Sequence, residues 1–146
     1  MSSPGSTPEL YFREVTADDL EEILFHRRQM FHDMGHKDPA VLDAIVHSSR
    51  AFVKGSLVDG CYRGWFAVTS PERVAAGVGL LITPWVSGPL APEQAYRAYL
   101  LNVYTDPRIS QAGFGAHAHT EGYRLLPYAW PQTPVASCQQ ARSIPL

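Results

Sequence analysis

Apolar and polar positions along the 146-residue chain change period several times, and each change marks an element. Residues 10–15 alternate between the two classes, as a half-buried strand does. Over 17–34 the period lengthens: Leu20, Ile23, Leu24, Phe31 and Met34 recur at helical spacing. Thr16 and Asp19 give that helix a T-x-x-D cap, and Asp18, Asp19, Glu21 and Glu22 suit the positive end of its dipole. Gly35 is a natural stop. Asp38-Pro39 begins a second helix, Asp38 as cap and Pro39 in the first turn, with a predicted apolar face of Val41, Leu42, Ile45, Val46, Phe52 and Val53. The pattern then shortens. Asp59-Gly60 turns the chain, and strands are predicted over 62–69 and 74–84, paired as a hairpin around 70–73. The stretch "WVSGPLAPEQ" is a loop, and 95–105 is a further apolar strand. The order strand, helix, helix, strand, strand, strand predicts an α/β (α+β) domain: a mainly antiparallel sheet with both helices packed on it.

Beyond Pro107 the periodicity fades. Prolines stand at 127, 131, 134 and 145, Glu121 is the sole acid, and "YRLLPYAW" is interrupted by Pro127. The chain divides into a flexible polar leader over 1–8, a folded core over 9–108, and an aberrant or poorly ordered segment over 109–146. There is no internal repeat and no interdomain linker.

Composition narrows the function classes. Apolar residues make up 45% and charged residues 18%, an ordinary globular balance, and the formal net charge of -2 offers no basic field for nucleic acid. No apolar run is long enough for a transmembrane helix, so no membrane partner is expected. Cys61 and Cys138 stand in unrelated contexts, neither a metal knuckle nor a disulfide framework, which suggests a reducing, cytoplasmic setting.

Several strings, in order, carry a family resemblance: "RRQMFHDMG" in the first helix, "GWFAV" and "RVAAGVGLLITPW" in the hairpin, "GPL" in the loop, and "RAYLLNVYTDP" in the last strand. Over 10–108 the chain resembles the GNAT superfamily of acyl-CoA-dependent N-acyltransferases. The resemblance implies a GNAT-like central sheet with two N-terminal helices, incomplete at the C-terminus, and transfer of an acetyl group from acetyl-CoA, as co-substrate, to a primary amine of a small-molecule or peptide acceptor. It implies that Val103, Tyr104 and Thr105 hold the pantetheine arm by main-chain hydrogen bonds. It also implies that a turn carrying Gly113 and Gly115 binds the pyrophosphate at the start of a helix. Phe31 and Met34 fall where the family places its acceptor wall, and Asn102 precedes the cofactor segment. A homodimer is an assembly such a chain could form. No catalytic acid or base is assigned and no resident metal is expected.

Where the family has Arg or Gln at the start of the phosphate turn this chain has Ser110, and no basic amphipathic helix follows. Back-translation from Ile109 permits, one nucleotide forward, an R-x-x-G-x-A loop with such a helix. A frameshift after Arg108 therefore accounts for the break, with impaired activity as its consequence. The alternative is a non-catalytic remnant serving as a binding or dimerisation module. His117, His119 and Glu121 alternate as metal ligands could, although exposed tail residues explain the pattern as simply. His32 and His36 are candidate proton acceptors. Trp65 and Trp85 are candidate pocket walls, with a half-buried strand tryptophan the simpler account. Arg27 and Arg28 read as a solvated helix face rather than a site for an acidic substrate.

Overall fold

A computed structural model describes residues 10–69, 73–93 and 95–110. Strand β1 (Leu10–Glu14) leads through a 3-10 turn (Ala17–Asp19) into α1 (Leu20–Asp33) and α2 (Pro39–Asp59). Strands β2 (Tyr62–Thr69), β3 (Arg73–Pro84) and β4 (Tyr96–Thr105) follow, and α3 (Pro107–Ser110) begins directly after them. The strands form a four-stranded sheet in the order β1-β2-β3-β4 with every neighbour antiparallel. Each predicted strand lies within a residue of its observed place.

The caps explain why the helices start and stop where they do. Asp19 closes a capping box with Thr16 and also accepts two hydrogen bonds from the Arg13 guanidinium, both 2.8 Å, which tie α1 to β1 and hold the Asp19 carboxyl below its ordinary range. At the other end of α1 the Gly35 N–H donates to the His32 carbonyl and the His36 N–H to the Phe31 carbonyl. That is a Schellman turn, and the rings of Phe31 and His36 meet edge to face across it. Asp38 accepts from the Ala40 N–H at 2.9 Å with Pro39 in the first turn, as the sequence predicts for α2.

The main core joins α1, α2 and one sheet face through Val15, Ile23, Leu24, Val53, Tyr62, Phe66 and Val68. On the opposite face Trp65 and Leu80 pack with Val78 and Ala98. Strand β2 is therefore buried on both sides, and its sequence is accordingly a nearly unbroken apolar run.

Two expectations about helix faces need correction. Leu42 and Val53 are buried, but Val41 and Phe52 of the predicted α2 face are 46% and 52% exposed, and Ile45 is half-buried. The apolar pairs 41/42, 45/46 and 52/53 form a double stripe, and neighbours in a helix point about 100° apart. Only the stripe through Leu42, Val46 and Val53 reaches the core. Met34, read as the end of the α1 apolar face, lies past the last helical turn and is 66% exposed. Cys61, read as an isolated cysteine, is buried and disulfide-bonded.

Candidate functional site

The register shifts between Ala67 and Val68 in the β2–β3 pairing and again, next to α1, in the pairing of β3 with β4. Gly77 lies opposite Tyr104 and Gly79 opposite Leu101, so both Asn102 and Val103 stand against Val78. This β-bulge turns Asn102 to φ 53°, a left-handed conformation that asparagine tolerates better than most residues.

The side chain of Asn102 is 5% exposed and engaged at both ends. Its Nδ2 donates to the Tyr62 hydroxyl at 3.0 Å, and its Oδ1 accepts from Arg27 Nη1 at 3.0 Å. The same guanidinium donates through Nε to Ser49 Oγ at 3.0 Å and lies 5.0 Å from the Phe31 ring centroid. Arg27 thus joins α1, α2 and β4, where the sequence suggested a solvated helix face. Arg28 pairs with Asp43 across the two helices at 3.0 Å. The Tyr62 ring reaches Asn102 by crossing Gly79, where a Cβ would overlap its hydroxyl.

Beside the bulge, the Tyr104 ring packs against His26 with centroids 4.8 Å apart. His26 is 2% exposed and seated over Gly77: a Cβ there would lie 2.6 Å from the imidazole Nδ1. Its Nε2 is 3.1 Å from Glu22 Oε1. Burial lowers the imidazole pKa to about 4, so near neutral pH the contact is a hydrogen bond from a neutral ring to a carboxylate rather than an ion pair. Burial raises the Glu22 carboxyl, and the Asp19 and Asp106 charges add to the shift.

Strand β4 runs into a clamped turn. The buried Asp106 carboxylate pairs with Arg73 and Arg108, both at 2.7 Å, and accepts the Arg108 backbone N–H at 2.9 Å, capping α3. The Arg108 hydrogen bonds hold its carboxyl far below the ordinary range, with Arg73 adding to them. The Asp106 N–H donates to the Ala75 carbonyl. Tyr104 lies opposite Gly77 and Thr105 opposite Ala76, so the strand stays paired with β3 from the bulge to this turn.

The structure therefore brings Asn102, Val103, Tyr104 and Thr105 together along one strand, with Phe31 joined to Asn102 through Arg27. Met34 stands apart and exposed, as does His36, while His32 contacts Asp33 and Lys37 at the surface. Gly113, Gly115, His117, His119 and Glu121 lie outside the described residues. Sequence reading missed Arg27, His26, Glu22 and Asp106 as members of the site. The readable signals were the Glu22/His26 pair one helical turn apart and the Gly77-x-Gly79 gap opposite it. Among the described residues no group of three or more potential ligands could hold a metal ion, and no helix is long and apolar enough to cross a membrane.

No family model and no curated protein matches the chain. Solved structures do. The chain is 28% identical to a GCN5-related N-acetyltransferase from Ralstonia eutropha, with a TM-score of 0.71, over 91% of this chain and 88% of that one. It shares its fold with a predicted acetyltransferase with acetyl-CoA from Clostridium acetobutylicum at 16% identity and a TM-score of 0.65, over 83% of this chain and 73% of that one.

Proposed function

We propose that the chain, which has the fold of GCN5-related N-acetyltransferases, is a GNAT-type enzyme that transfers an acetyl group from acetyl-CoA to a primary amine. The observation that carries this reading is the β4 bulge. It places Val103, Tyr104 and Thr105 directly ahead of the turn clamped by Asp106. An extended pantetheine arm can run along a segment placed in this way and exchange main-chain hydrogen bonds with it as a strand does. Tyr104 contributes its ring to the packing against His26. The acceptor nitrogen then attacks the thioester carbonyl, the C–S bond breaks, and a proton passes from nitrogen toward the departing sulfur. The protein contributes mainly the alignment of the two reactants. Phe31, next to Arg27, offers apolar surface to the acceptor, which is a small amine or a peptide. Asn102 shapes the site by holding the bulge.

Turnover by the chain as written is expected to be slow, because Ser110 stands where the family carries a cation or amide at the pyrophosphate turn. The tests are acetyl-CoA calorimetry and release of free CoA with a panel of amines. Val103→Pro removes one main-chain N–H of this segment and should weaken acetyl-CoA binding by about 1–3 kcal/mol, with circular dichroism checking the fold. Unchanged affinity would refute the assignment of the β4 edge. Binding without CoA release from any amine would instead identify a binding module.

A further inference from the structure

At the opposite end of β4 from Asp106, the loop after β3 folds back through paired Gly88 and Ala91, and the Trp85 N–H donates to the Ala95 carbonyl at 2.8 Å. A pocket of about 330 Å³ opens there, lined among others by Trp85, Val86, Leu90, Tyr96 and Arg97. Trp85 is 45% exposed, and Val86 and Leu90 are more exposed still, so the loop presents apolar side chains to solvent.

The Arg97 guanidinium carbon lies 3.8 Å from the Trp85 ring centroid, and the Tyr99 ring meets Trp85 edge-on. The other described arginines each hold a side-chain acceptor: Arg13 on Asp19, Arg28 on Asp43, Arg63 on Glu14, Arg73 and Arg108 both on Asp106. Arg27 and Arg50 do the same with Asn102 and Glu21. Arg97 is the exception among the described residues: it makes no hydrogen bond or ion pair, not even with Glu93 of the adjoining loop. Stacking uses the face of the guanidinium and leaves its in-plane N–H donors uncommitted, and it restricts the side chain before any ligand arrives.

We propose that this pocket binds an organic acid with an apolar or aromatic body, its carboxylate on the in-plane donors of Arg97 and its body between Trp85 and Tyr96. A planar fork pre-ordered on an aromatic face suits bidentate carboxylate recognition. The apolar lining favours a compact hydrocarbon or aryl group over a sugar or a bare inorganic anion, and the volume is at the small end of ordinary ligand pockets. The site does not depend on the acetyl-transfer reading, because its ligand need not meet acetyl-CoA.

Phenylacetate and its neutral counterpart phenylacetamide are the probes, titrated into the full chain without acetyl-CoA. The readout is the Trp85 indole N–H resonance, assigned by its loss in Trp85→Phe. Phenylacetate should shift this resonance saturably and bind about tenfold more tightly than phenylacetamide. In Arg97→Gln the two probes should bind equally. In Arg50→Gln, which removes an arginine of the helical layer, the preference should persist. Absence of saturable shifts in the wild-type chain, equal affinity for both probes, or a preference that survives Arg97→Gln would each overturn the proposal. Failure of the acetyl-CoA tests would leave these results unaltered.

Discussion

Replacing Asn102 by alanine probes the bulge that organises the site. Two costs add. Alanine at φ 53° loses the tolerance that asparagine has for the left-handed region, about 1 kcal/mol. The Tyr62 hydroxyl loses its donor and Arg27 loses one acceptor in a buried setting, about 1–3 kcal/mol. The sum is about 2–4 kcal/mol, or a drop in Tm of roughly 5–15 °C for a domain of this size. Asn102→Gly separates the two costs, because it abolishes the side-chain bonds but relieves the backbone. Asn102→Asp keeps an acceptor for Arg27 and tolerates the conformation. The expected order of stability in urea denaturation is Asn, Asp, Gly, Ala. An alanine variant as stable as the glycine variant would refute the backbone contribution. Alanine and glycine variants both within about 0.5 kcal/mol of wild type would refute the importance of the network.

Gly77→Ala should destabilise the domain by about 1–3 kcal/mol in the same assay, because its Cβ would sit 2.6 Å from His26 Nδ1 and 2.9 Å from Phe66 Cδ1 in a packed region. Gly55→Ala in α2, with nothing within 4 Å of the added carbon, should instead stabilise by up to about 1 kcal/mol. His26 should impose a pH dependence: its pKa falls from 6.5 to about 4 on folding, so the unfolded chain takes up the proton first, and acidification through that window costs about 3 kcal/mol of stability. Glu22, raised by burial, opposes this slope over the lower part of the window. Denaturation at pH 7 and pH 5 should show a smaller loss for His26→Gln than for wild type, and equal losses would refute the assignment.

The strands were legible because hairpin turns and apolar runs are local signals. Asp38-Pro39 and Gly35 likewise mark helix ends by local chemistry that the structure reproduces. The double apolar stripe of α2 was misread because the pattern does not say which of two adjacent stripes meets the sheet. That choice depends on how α2 leans on α1 and β2. The site was legible as a strand segment but not as a polar network. Arg27 and His26 look like surface residues until tertiary packing sets one against Asn102 and the other over Gly77. The Asn102 bulge depends on a mismatch of register between two strands, and neither strand alone reveals it.

The guanidinium of Arg27 has a consequence for how the chain can change length. Surface turns between helices ordinarily accept insertions and deletions with little penalty. Here one rigid planar group on α1 binds Ser49 on α2 and Asn102 on β4 at once, each at 3.0 Å. The separation of Ser49 from Asn102 can vary only by the slack of two hydrogen bonds. An extra residue between Gly35 and Asp38 that slid α2 along α1 would carry Ser49 out of reach and release one edge of the fork. The length of that exposed turn is therefore fixed by a half-buried cation on the preceding helix, and indels there should be tolerated only where they leave Ser49 in place.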